Sequence, residues 1–402
     1  MPLKDFGYRI VRDASFMGST RPVTQSLTSM TLLQQEYGHD VVSMVSYRDD
    51  NAPNRYSTGT PLTISWGLTN YRVEVFTGYV HHSEPIMLPG GQPADRQMVK
   101  VVCVGASWLM KEQHRRIFNG RTIPSVIKEV LDGYRLSGQV TDDTRVWDSL
   151  AQAGESDWEF ICALAKRLGW AVYPNNTDVA FRDRRVSPQT SRRTAKAFTA
   201  PGVGQPSGGM GQIITFQAID GETTPDGGQK ANRVLFGMDA MQGTSFVVTQ
   251  DQPEPTLAWS SPDPVFLEFQ NDTARDYAEA SALVAGKTDV NRMYIQAKVE
   301  VQGEPAVRPG DVVCLLGMGA KNSGYWYVQS AEHELGVGSY TTHLTLGRDS
   351  RWDTGQRPDH RRRRIVRPRY APYGEVFSEI PASNLINGTW RAAYSVPLAS
   401  IV

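Results

Sequence analysis

The sequence predicts a β-rich α+β chain: two antiparallel β-barrel domains, an α/β module between them and an extended, basic C-terminal arm. Three observations lead there. Apolar and polar residues alternate with period two at 60–80 and again at 294–347. Helical periodicity is confined to short segments between these regions. From residue 353 onward an arginine run is followed by a Pro-interrupted stretch with no period. The 36 glycines and 24 prolines among 402 residues suit a chain of many short strands joined by turns.

The first barrel domain is placed at residues 1–105. In TPLTISWGLTNYRVEVFTGYV, Leu62, Ile64 and Trp66 share one face, and Tyr71, Val73 and Val75 repeat the pattern after a Gly-containing turn. This reads as an antiparallel hairpin. Met98 to Val104 supplies a further strand.

The period changes in the module, residues 106–186. Thr122 can cap a helix with Pro124 in its first turn; Val126, Ile127, Val130 and Leu131 form its apolar stripe, and Gly133 ends it. A second helix lies in GESDWEFICALAKRLGWAVY. Ser156 and Glu159 make a capping box. Trp158, Ile161, Leu164 and Leu168 form the buried face, widened by Phe160. Lys166 and Arg167 suit the negative end of the helix dipole, Gly169 stops the helix, and Trp170 can fold back on its last turn. Asp157 and Glu159 sit two apart and face different directions, so both are expected to cap and to meet solvent. On this reading Asp157 is dispensable.

Residues 187–211, SPQTSRRTAKAFTAPGVGQPSGGMG, read as a flexible loop or linker; the glycines lack the Lys-Ser/Thr and the helix that a phosphate cradle needs. The second barrel domain is placed at 212–352. It holds strand candidates at 212–219 and 233–238, and a helix at 274–285 with Gly286 as stop. YIQAKVEV alternates strictly. Pro309, Gly310 and Asp311 turn the chain into VVCLLG, and GYWYVQS and YTTHLTL close the domain.

Chemistry is hard to find in this chain. Lys plus Arg equals Asp plus Glu at 42 each, so net charge does not point to nucleic acid or an acidic membrane. Three isolated cysteines in apolar runs support neither a disulfide framework nor a zinc site. No nucleophile elbow, HExxH or cysteine-protease context occurs, and His81 and His82 on a regular strand point to opposite faces. No catalytic residue, cofactor or metal site is expected. The N-terminus lacks the apolar core of a signal peptide, and no stretch approaches the ~18 apolar residues of a membrane span, which suits synthesis in a cytoplasm.

The charge balance hides one asymmetry. Between Arg357 and Arg369 there are seven arginines and one acid, Asp359. Residues 353–402 therefore read as a basic arm whose side chains bind a partner: Arg361, Arg362, Arg363, Arg364, Arg367 and Arg369 by charge, and Tyr370, Tyr373, Phe377 and Trp390 by burial on another chain.

The run from Gln152 through GESDWEFICALAKRLGW resembles the helix motif of phage tail hub proteins of the late-control D and VgrG type. A second block, YIQAKVEVQGEPAVRPGDVVCLLGMG with GYWYVQSAEHEL and YTTHLTL, resembles the second barrel of that family, and GTPLTISWG with FTGYV its first. The resemblance implies a structural protein of the virion tail: a homotrimer whose paired barrels form a pseudo-sixfold ring, joined to a hexameric tail tube on one face and a central spike on the other. Baseplate wedge or other neighbouring tail proteins would be further partners, with nucleic acid passing only transiently through the lumen. The β-helical spike of VgrG-type chains does not follow here, which implies a separate spike or tip protein. Two rival readings are a tail-associated peptidoglycan hydrolase and a tail channel protein that grips DNA through the arginine run.

Overall fold

The computed structural model describes residues 6–14, 19–22, 27–47, 56–68, 71–87, 97–183, 195–201, 212–219, 232–239, 244–250, 266–268, 277–290, 295–336 and 339–348. The N-terminal strands are β1 (Phe6–Ala14), β2 (Ser19–Pro22), β3 (Leu27–Gln35), β4 (Val41–Tyr47), β5 (Pro61–Leu68), β6 (Tyr71–Met87) and β7 (Gln97–Gly105). Alternation buries Leu62, Ile64 and Trp66 on β5 against Met30 and Leu32 of β3 and Val42 and Met44 of β4. On β6 a bulge opposite Ile64 and Ser65 shifts the phase, so that both Val75 and Phe76 are buried.

A 3-10 segment, Ala106–Lys111, leads into β8 (Gln113–Thr122), α1 (Ile123–Gly133), β9 (Ser137–Val140), β10 (Val146–Ser156), α2 (Asp157–Arg167), β11 (Trp170–Asn175) and β12 (Asp178–Asp183). Strands β8 and β10 form an antiparallel ribbon; β11, β12 and β9 form a second small sheet in which β12 and β9 are parallel. Both helices bury their apolar faces in one core with these strands, Val126, Ile127 and Val130 from α1 and Trp158, Ile161 and Leu164 from α2.

The remaining elements are β13 (Lys196–Thr199), β14 (Ile213–Ile219), β15 (Asn232–Asp239), β16 (Thr244–Gln250), β17 (Phe266–Glu268), α3 (Tyr277–Val290), β18 (Ile295–Gln302), β19 (Val312–Leu316), α4 (Gly319–Asn322), β20 (Gly324–Gly336) and β21 (Ser339–Arg348). Part of the segment read as linker is thus ordered. Phe198 is buried, and β13 pairs in parallel with β19, because an apolar Ala-Phe pair inside a polar stretch suffices to dock it. The third helix also differs from its sequence boundary: it passes through Gly286 to Val290. A glycine costs a helix only about 0.5–1 kcal/mol relative to alanine, and Ala280, Leu283 and Val284 are held against Leu235 of β15 and Val248 of β16.

Thirteen strands share one sheet, whose main path runs β14-β18-β21-β20-β3-β4-β7-β6-β5-β1-β2, with β13 and β19 attached beside β20. The two β regions therefore meet edge to edge. The joint is β20, 13 residues long: its first residues pair with β19, and Ser330 to Gly336 pair on with β3. Each half keeps its own core, one around Trp66 and Phe76, the other around Trp326, Val313 and Leu346. Among the described residues the chain is β-rich and no sheet ladder closes into either of the two expected barrels, while an isolated bridge between Thr199 at the end of β13 and Gln212 just before β14 brings the ends of the second region together. Strands β15 to β17 form a separate sheet under α3.

Candidate assembly site

Helix α2 is capped as its sequence demands. The Ser156 hydroxyl accepts from Glu159 N at 3.2 Å, and Glu159 Oε2 accepts from Ser156 N at 2.9 Å. Gly169 has φ of +71°, and its N–H donates to Lys166 O, ending the helix. Trp170 opens β11 and is buried in the core it shares with Ile161 and Leu164 of α2.

The buried face of α2 holds a turn from the first β half. Between β3 and β4, Tyr37 adopts a left-handed φ of 58°, uncommon for a bulky residue. Three hydrogen bonds fix it there. Tyr37 N donates to Val172 O at 2.7 Å, Tyr37 Oη to Trp170 O at 2.6 Å, and its carbonyl accepts from Trp158 Nε1 at 3.1 Å. Lys166 covers its ring at 4.6 Å. His39 packs against Trp158 and Trp108, and burial holds its imidazole down at about 4, so it stays neutral. Trp158 is therefore an anchor between two parts of the molecule as well as a core residue.

Asp157 departs from its sequence reading. Its side chain is 1% exposed and lies at the centre of a polar cluster. Oδ1 accepts from Gln152 Nε2 at 2.8 Å and from Arg116, with His114 Nδ1 at 3.2 Å, and Oδ2 accepts from Tyr134 Oη at 2.8 Å. Burial alone would raise its carboxyl, but the bonds from Gln152, Tyr134 and Arg116 outweigh burial and hold it below the ordinary carboxylate range. The ribbon β8–β10 places Arg116 opposite Gln152, and α2 starts where that ribbon ends. Asp157 ties the ribbon, α1 and α2 together; only the pairing of distant strands turns it inward.

The Pro309-Gly310-Asp311 turn joins three regions. Gly310 N donates to Val328 O on β20 at 2.9 Å, and Asp311 Oδ2 accepts from Arg308 N at 2.9 Å. Gly310 has φ of +87°, and a β-carbon there would fall 2.2 Å from Cζ of Tyr173 on β11, so both its backbone and its neighbour require glycine. Arg308 donates to the carbonyl of Glu74 on β6. Near it, fully buried Asp40 accepts from Gln34 Nε2 at 3.0 Å while its Oδ1 has no hydrogen-bond partner. Burial raises Asp40 to about 7, partly opposed by the Gln34 bond and by Arg308.

The outer surface offers contact area of a different kind. Ile117 on the ribbon is 68% exposed, and Leu109, Val146, Ile214, Val247 and Tyr277 are also exposed. The end strands β14 and β2 each have one strand partner in the sheet among the described residues. Arg361, Arg362, Arg363, Arg364, Arg367, Arg369, Tyr370, Tyr373, Phe377 and Trp390 lie outside the described residues. Sequence reasoning missed Tyr37, Asp40, Arg116 and Arg308. Each is a single polar or aromatic residue whose partner is a strand away in space, and no local motif marks it.

No group of three His, Cys, Asp or Glu side chains suited to a metal occurs among the described residues, and no helix among them is long and apolar enough to cross a membrane. One expectation about histidines fails. A bulge between Val80 and His82 breaks the alternation of β6, and the Nδ1 atoms of His81 and His82 lie 2.7 Å apart instead of on opposite faces.

Comparison with known proteins converges on one class. The model of a family described as phage tail baseplate hub (GPD) matches residues 36–215, the stretch from the Tyr37 turn through the Asp157 cluster into β14. No curated protein matches the sequence. The fold is similar to that of a tail protein from Neisseria meningitidis MC58, with a TM-score of 0.59 at 12% identity over 86% of this chain and 98% of that one. The 43 kDa tail protein of prophage MuSo2 from Shewanella oneidensis gives 0.56 at 14% identity, over 85% and 98% of the two chains. An E. coli component of the type VI secretion system gives 0.51 at 12% identity, over 83% and 76%. Residues 36–215 thus match the model of the phage tail baseplate hub family, within a chain whose fold is similar to that of phage tail proteins.

Proposed function

We propose that this chain is a non-enzymatic hub of a phage baseplate or tail tip, assembling as a homotrimer. The observation that carries the reading is the thirteen-stranded sheet built of two halves, each with a core of its own. Two like β modules per chain, repeated three times, give six contact surfaces, which lets a trimer terminate a hexameric tail tube. The end strands β14 and β2, each with one strand partner among the described residues, suit edge pairing between neighbouring copies in a head-to-tail ring, and within such a ring each half acts as one barrel module. The exposed Ile117 and Ile214 add apolar area for those contacts.

In this reading the opposite face of the ring holds a separate spike or tip protein, wedge or neighbouring tail proteins surround it, and DNA passes the lumen only transiently. The basic arm at 353–402, with Arg361 to Arg364, Arg367, Arg369 and its aromatic residues, attaches a partner through charge and burial. Native mass measurement of the purified full chain at micromolar concentration tests the proposal. A trimer is expected, and a stable monomer would overturn it.

A further inference from the structure

We propose that His81 and His82 form a two-imidazole site for a divalent transition-metal ion of the Cu2+ or Ni2+ type. The site is created by the bulge in β6. Opposite it β7 continues regularly, Val80 pairing with Cys103 and His82 with Val102, so His81 is the inserted residue. Insertion turns two consecutive side chains toward one another, with ring centroids 5.0 Å apart.

The hydrogen bonds fix which nitrogen carries each proton. His82 Nε2 lies 3.2 Å from Glu84 Oε1, and only an N–H can face a carboxylate. In the neutral ring His82 Nδ1 is then a lone pair, so the 2.7 Å contact is a bond donated by His81 Nδ1–H. When the His81 proton moves to Nε2 through solvent, the two Nδ1 lone pairs face one another across 2.7 Å, and a turn of each ring by about 50° aims both at one ion with bonds of about 2.1 Å. A carboxylate on the far nitrogen of His82 is the usual outer partner of a metal-bound imidazole, fixing its tautomer and orientation. Trp108 packs edge-on to His81 at 5.6 Å and an interplanar angle of 88°, which limits the ring's freedom.

Geometry selects the metal. With metal–nitrogen bonds of about 2.1 Å, nitrogens 2.7 Å apart subtend about 80° at the ion. A right angle needs about 3.0 Å between the nitrogens, whereas a tetrahedral angle needs about 3.4 Å. The pair therefore favours ions that take ligands at right angles, square-planar or octahedral Cu2+ and Ni2+, over tetrahedral Zn2+. Water completes the sphere. His82 and Glu84 side chains are 41% and 54% exposed, which leaves room for it.

Calorimetric titration of the full chain with Ni2+ and with Zn2+, against His81→Ala, His82→Ala and Glu84→Gln, tests the site. One Ni2+ per chain is expected, lost in either histidine variant and weakened about tenfold in Glu84→Gln. Cu2+ loaded at one equivalent should show two coupled nitrogens by electron paramagnetic resonance. His343→Ala should bind as the wild type does. Because both ligands lie at the surface, thermal melts of the variants should match the wild type, so lost binding reports the site and not the fold. Unchanged Ni2+ affinity in His81→Ala or His82→Ala, or no saturable binding at all, would overturn the proposal. Zn2+ bound as tightly as Ni2+ would overturn the right-angle assignment.

Discussion

Replacing Asp157 by Asn keeps the shape of the side chain and removes its charge. The carboxylate is buried and takes bonds from Gln152, Arg116 and Tyr134. An amide has one acceptor oxygen, so with that oxygen toward Gln152 and Arg116 its NH2 can only donate to Tyr134 Oη, reversing that bond, and Arg116 faces no anion. Breaking a buried ion pair costs about 3–5 kcal/mol. The Arg116 side chain is 36% exposed, so water takes up part of its charge, and the expected loss falls to about 2–3 kcal/mol. The pH dependence has a definite sign. In the unfolded chain the carboxyl titrates at about 3.9, and in the fold it titrates lower. Between those values the unfolded chain binds more protons, so the contribution is whole above the ordinary carboxylate range and is lost as pH falls through the folded value. Urea unfolding followed by tryptophan fluorescence at pH 7 and pH 3 measures both effects. Asp157→Asn should be less stable at pH 7, and the gap from the wild type should narrow at pH 3. A variant within about 0.5 kcal/mol of the wild type at pH 7 would refute the reasoning, since that is the range of an ordinary surface substitution.

Gly310→Ala should destabilise by about 2–4 kcal/mol, combining a left-handed backbone with collision against Tyr173; in a Tyr173→Ala background the same change should cost only about 1 kcal/mol, and an equal cost in both backgrounds would show that the contact does not matter. Asp40, raised to about 7 by burial, binds its proton more tightly in the folded chain. Stability carried by it therefore falls as pH rises from the ordinary carboxylate range through about 7, and melting temperatures at pH 5 and pH 8 should differ less in Asp40→Asn than in the wild type. Equal differences would contradict that origin.

Local rules made much of the chain legible before any coordinates. The capping pair Ser156 and Glu159, the stop at Gly169 and the alternation of Leu62, Ile64 and Trp66 each depend on neighbours within one turn or one strand. Gly286 misled because helix propensity at that residue is weaker than the packing of Ala280, Leu283 and Val284. His81 and His82 misled because a bulge belongs to the pairing of two strands and leaves no mark in either alone.

By itself the sequence determined the β-rich class, the capped helices, the glycine turn before β19 and the resemblance to tail hub proteins, since periodicity, caps and turn residues act over a few positions. Only the tertiary structure decided that the two β regions share one sheet through β20, that Asp157 turns inward to Arg116, and that two histidines meet on β6. Those outcomes rest on contacts between residues far apart in the chain, where strand register and desolvation prevail over local preference.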